Sequence, residues 1–174
     1  NIAKANSYGA ELEYRMNLGW MNRTDSNSIF SRTTFYTNAS YIRSEADLSQ
    51  FAGLEEYPGS TRPLQGQSPY ILNVGLFYES KKDLMINFSY NYVGQRIAIS
   101  GSIQEPSVWE NGRHVLDFQI GKTWNDKYEL KLNCADLLAQ DLVFFQDINK
   151  NKRYDKGVDS AWQEITFGQT ITLN

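Results

Sequence analysis

The stretch DINKNKRYDKGVD, residues 147–159, sets side-chain oxygens at alternating positions, the arrangement by which a curled loop can surround a hard cation. On the 12-residue calcium-loop template, Asp147, Asn149, Asn151 and Asp155 take positions 1, 3, 5 and 9, with the Arg153 carbonyl at 7. These four residues are candidate Ca2+ ligands. Two positions depart from the template: Lys152 stands where it needs Gly at 6, and Val158 where it needs a bidentate Glu at 12. Lys150, Lys152, Arg153 and Lys156 also outnumber the three aspartates, which opposes cation binding. A solvated hairpin loop rich in turn formers is the competing account.

Other chemistry is sparse. The single histidine, His114, has neither a nucleophile nor an orienting acid suggested by pattern, and it falls beside a long connection on the apolar parity of its segment. An amphipathic ring at an interface suits that position. Glu55 and Glu56 are adjacent in LEEYPG, and neighbours in a loop do not set the ~5–9 Å separation that glycoside hydrolysis needs. Cys134, the one cysteine, shares a face with Leu130 and Leu132 and reads as a small hydrophobe. No enzyme is expected. Ligand capture has better material. FAGLEEYPGSTRPLQG and ISGSIQEPSVWENG supply Phe51, Tyr57, Arg62, Trp109 and Asn111, rings and polar groups suited to sugars, peptides or chelates.

The elements that must carry these residues have a period of two. In SYGAELEYRMNLGW, Tyr8, Ala10, Leu12, Tyr14, Met16 and Leu18 alternate with Gly9, Glu11, Glu13, Arg15 and Asn17. The pattern returns in RTTFYTNASYIRSE, PYILNVGLFYES, DLMINFSYNYVGQR, HVLDFQIGKTW, YELKLNC and ITFGQTITL, predicting about seven antiparallel strands. Strands three and four meet across SKKD, and five and six across NDK, both turn sequences. The first connection, around MNRTDSNSIFS, falls on the same side as these turns but is longer, whereas the connections 46–67, 98–112 and 147–161 are long enough to mark functional loops.

Composition narrows the class. Of 174 residues 14% are aromatic, eleven of them Tyr, with only four Pro, a mixture that favours strands. A net charge of −3 lacks the basic footprint of a nucleic-acid partner. No run approaches the ~18 apolar residues of a membrane helix, which leaves a membrane β-barrel open because its residues alternate. The fold expected is therefore all-β: an antiparallel up-and-down transmembrane barrel segment with short periplasmic turns and long extracellular loops. The long strands, the mixed polar face (Glu11, Glu13, Arg15, Asn87, Asn91, Asp117, Glu129, Lys131) and aromatics at the strand ends (Tyr70 and Tyr78, His114 and Trp124) favour it. A soluble β-sandwich binding module, which also alternates, is the alternative.

Two stretches carry a resemblance. RPLQGQSPYILNVGLFYE (62–79) and YELKLNCADLLAQDLVFFQDINKNKRYDKGVD (128–159) resemble the C-terminal barrel strands of TonB-dependent outer-membrane receptors. LKLNCADLLAQDLVFF is similar to the family's penultimate-strand pattern, and SYGAELEYRMNLGW to its recurrent aromatic-Gly-x-Glu-x-Glu strand. The resemblance spans nearly the whole chain and is silent on substrate. It implies that residues 1–174 are the C-terminal part of a barrel of roughly 22 strands whose plug domain lies outside this sequence. It further implies residence in the outer membrane of a Gram-negative bacterium, lipid around the barrel, and coupling to TonB through an N-terminal part of the parent. A surface lipoprotein partner and an extracellular glycan, peptide or metal chelate as imported ligand belong to the same expectation.

Overall fold

The computed structural model describes residues 4–22, 28–49, 61–102 and 105–174. It is all-β and antiparallel. The described residues form twelve strands: β1 (Ala5–Asn17), β2 (Thr33–Asp47), β3 (Thr61–Arg62), β4 (Tyr70–Glu79), β5 (Leu84–Val93), β6 (Arg96–Ile99), β7 (Val108–Glu110), β8 (Arg113–Trp124), β9 (Tyr128–Ala135), β10 (Leu142–Gln146), β11 (Ser160–Ile165) and β12 (Thr170–Leu173). Seven of them follow one another across an up-and-down meander, β1-β2-β4-β5-β8-β9-β12, with β3 added beside the end of β2. The sheet is open: β1 and β12 are its two edges. A second sheet, β11-β10-β7-β6, is built from the connections between β5 and β8 and between β9 and β12.

The short turns follow from local chemistry. Between β8 and β9, Asn125 and Asp126 both adopt positive φ (52° and 54°), the geometry that matches a tight hairpin to the twist of its strands. Between β4 and β5, Ser80 Oγ accepts the Lys82 and Leu84 amides (both 3.1 Å), and Asp83 takes φ 55°. The longer β1–β2 connection carries two 3-10 turns, Leu18–Met21 and Phe30–Arg32. Asn17 ties them: its Oδ1 accepts the Gly19 amide (2.8 Å) and its Nδ2 donates to the Ser31 carbonyl (3.1 Å).

Two expectations are corrected. The segment 165–173, expected as one strand, is two. Its first part ends β11 in the second sheet, and the chain returns to the meander as β12 after Gly168 at φ 72°. A positive φ costs glycine little and lets the chain change sheets there. The long connections 98–112 and 147–161, expected as loops, supply β7 and the start of β11 to a paired sheet. The sequence period misses this because strands as short as Val108–Glu110 hold too few residues to alternate.

The buried core lies in this second sheet. Ile97, Trp109, Val143 and Phe145 pack together, with the Tyr154 ring 5.2 Å from that of Phe145. By contrast, every buried hydrophobic among the described residues lies at the loop end, and none lies midway along a long meander strand.

Candidate functional site

The register of the meander sorts its side chains into two faces. Met16, Phe35, Leu76, Phe88, Phe118, Cys134 and Ile171 stand opposite one another in turn, an apolar row crossing all seven strands. The parallel row one residue away reads Asn17, Thr34, Phe77, Asn87, Gln119, Asn133 and Thr172. Glu11, Glu13, Arg15 and Asp117 share that second, polar face, as the alternation predicts.

Hydrogen bonds link side chains along the polar face. Asn38 donates to Glu11 Oε1 (2.6 Å), Asn91 to Asn73 Oδ1 (2.6 Å), Gln119 to Asn133 Oδ1 (2.6 Å), and the Tyr36 hydroxyl to Asn87 Oδ1 (3.3 Å). The Tyr36 ring lies over Gly75, where any β-carbon would collide with it. A hollow of about 420 Å3 opens against this face, lined by Glu13, Arg15, Tyr36, Asn38, Asn87 and Gln119 among others.

The apolar face is left bare. Leu12 (65% exposed), Ile171 (67%), Leu76 and Phe88 all reach solvent. Rings mark both ends of its strands: Tyr8, Tyr41, Tyr70, Tyr92 and His114 at the loop end, Tyr78, Trp124 and Tyr128 at the turn end. His114 shares a 2.6 Å hydrogen bond between Nδ1 and the Tyr90 hydroxyl and stacks on Tyr92 at 4.5 Å. It belongs to this band of rings, and Cys134 sits within the apolar row.

The predicted ligand-binding residues separate. Phe51 and Tyr57, with Glu55 and Glu56, lie outside the described residues. Arg62 is buried in β3, its guanidinium 3.3 Å from the Pro63 carbonyl. Asn111 is half-buried, its amide donating to the Val143 carbonyl (2.8 Å). Trp109 is only 7% exposed and belongs to the small core, yet its ring forms part of the wall of a second hollow, of about 400 Å3, where the two sheets meet.

The segment 147–159 closes on itself. Asp147 accepts the backbone amides of Asn151 (3.1 Å) and Lys152 (2.7 Å). The Asn149 and Asn151 side-chain amides donate to Asp155 Oδ2 (2.9 and 2.6 Å), and hold its carboxyl below the usual carboxylate range. Asp159, buried, accepts the amides of Ile148 (2.9 Å) and Asp155 (2.7 Å). The four candidate Ca2+ ligands are thus brought into one turn, with both amides presenting nitrogen to Asp155. Among the described residues no group of three or more His, Cys, Asp or Glu has the geometry to hold a metal.

Sequence reasoning missed Gln95 and Lys152, which line the second hollow with Trp109. Gln95 follows β5 in VGQR with nothing local to distinguish it, and Lys152 counted only as an unfavourable charge in a calcium loop. No family model, curated protein or solved structure matches the chain.

Proposed function

We propose that this chain is part of a TonB-dependent outer-membrane receptor, a β-barrel that binds a nutrient at its outer loops and imports it. The observation that carries this is the bare apolar face of a one-layer meander whose opposite face is hydrogen-bonded and polar. Six of its strands run 8 to 15 residues, against the ~9–11 that cross a bilayer at a tilt. Burying a large apolar side chain gains ~1.5–3 kcal/mol. Half-exposure of about ten such residues therefore leaves roughly 10 kcal/mol unrealised, comparable with the whole stability of a domain. Lipid on that face recovers it, with the terminal Tyr, Trp and His rings at the two interfaces. The polar face and its hollow then belong to the aqueous lumen. Strands outside this sequence would pair the edges β1 and β12, since unpaired backbone is not tolerated in hydrocarbon.

In this reading the chemistry is capture and passage, without covalent steps. The loop-end sheet holds the ligand side of the barrel, TonB acts through an N-terminal part of the parent, and a surface lipoprotein is a candidate partner. The test is the full-length protein in bacterial envelopes. Extraction that requires detergent, with a compact band converted by boiling to a slower one, supports a closed membrane barrel. Release without detergent and identical mobility before and after boiling would leave the soluble binding module instead.

A further inference from the structure

At the turn end of the meander, charge is sorted by face. Glu79, Asp83, Asp126 and Glu129 line a hollow of about 210 Å3 together with Gly121 and Thr123. Gly121 and Thr123 continue the row of Gln119 along β8, so the hollow opens on the polar face. Lys131 joins Glu129 there at 2.9 Å.

The apolar face of the same end carries a cation instead. Lys122 continues the row of Phe118 and Ile120, opposite Leu84 on one side and Leu130 on the other. It is the one charged residue of that parity in the turn-end half of the described meander strands. Among the described residues it makes no ion pair. Its ammonium donates to the Lys82 carbonyl and lies 5.9 Å from the centre of the Trp124 ring, which leaves it N–H groups and a full charge to spare. Four residues beyond Phe118, or ~13 Å along the strand, Lys122 stands near the margin of a hydrocarbon layer ~30 Å thick. A lysine stem there lies along apolar surface while its head reaches the polar layer. The loop end differs: Arg43, on the same face, is bonded to Glu45 (2.7 Å) and carries its own counter-charge.

We infer that Lys122 and Trp124 form a site for the headgroup of an anionic phospholipid at the turn-end interface. The site is continuous with the apolar face, and its unpaired cation complements the lipid's charge. It rests on the receptor reading, which takes that face as the lipid face. Its new content is the asymmetry: anionic lipid collects at the turn end and not at the loop end.

The test uses the full-length protein in vesicles of phosphatidylcholine and phosphatidylglycerol in equal parts. A fluorophore sits on a single cysteine, Tyr128→Cys at the turn end or Tyr70→Cys at the loop end, in a chain without other cysteines. Each lipid in turn carries a spin label as quencher. At position 128 phosphatidylglycerol should be enriched at least about threefold over phosphatidylcholine, and at position 70 the two should be equal. Lys122→Gln should abolish the preference and Lys122→Arg should keep it, with the heat-modifiable band confirming that each variant folds. Equal quenching by both lipids at 128, the same preference at 70, or a preference that survives Lys122→Gln would overturn the site and leave lipid on the apolar face. Quenching by neither lipid at either position would remove the receptor reading and the site with it.

Discussion

In the four-stranded sheet Phe145 and Ile97 are fully buried, whereas Phe88, in the middle of its strand in the meander, remains 40% exposed. Both are apolar residues of antiparallel strands. The small sheet closes its residues against one another and Tyr154, so its core is supplied by the chain. Among the described residues the meander has no such closure: Leu12, Leu76, Phe88 and Ile171 on its apolar face stay exposed. One region buries its own apolar side chains, and the other leaves them exposed, which is the surface that the proposed lipid neighbour would cover.

The most disruptive way to probe this contrast is Phe145→Ala. Loss of a fully buried Phe should cost ~3–5 kcal/mol of local stability. Hydrogen exchange should rise through β10, β7 and β11 while the meander amides stay protected; loosening of both sheets together would show one shared core. Next is Phe88→Arg, a charge at the middle of the bare face. It should destabilise the folded protein in bilayers by ~2–4 kcal/mol, while Asn87→Arg on the opposite face costs ~1 or less. Equal costs would erase the distinction between the faces. Gly75→Ala comes third: the Tyr36 ring must move, for ~1–3 kcal/mol, and Tyr36→Ala in the same chain should recover most of it.

The smallest effect is a pH response of segment 147–159. The Asp155 carboxyl is held below its ordinary 3.8 by the Asn149 and Asn151 amides. A lowered folded value means stabilisation present above 3.8 and lost as pH falls through the folded value, so the loop should loosen only in that acid range. Side-chain amide signals of Asn149 and Asn151 measure this, and Asp155→Asn should abolish the response.

Six of the seven meander strands, all but β12, were legible because each residue's face is set by parity, and lipid-facing and water-facing strands both obey it. Tyr14 and Glu13 declare their sides without knowledge of the partner strand. The second sheet was not legible, since its pairings, such as Phe145 with Trp109, join residues far apart in sequence through strands without a period. Trp109 shows the consequence. In a polar, glycine-containing stretch it reads as a ring ready for a ligand, but Ile97, Val143 and Phe145 bury it, indole N–H included. The segment 147–159 offered two readings, a turn-rich loop or a set of metal ligands, and in the structure its side chains bond to one another and to the loop's own backbone amides.

Single cysteines placed along β5 from Met85 to Tyr92, in a Cys134→Ala background, and labelled with a fluorophore in lipid vesicles would test the account most directly. Lipid-soluble quenchers should act on positions 86, 88, 90 and 92, and water-soluble ones on 85, 87, 89 and 91. Quenching by water-soluble agents at every position, or protection of the even positions from both, would mean that water or protein, not lipid, covers the apolar face.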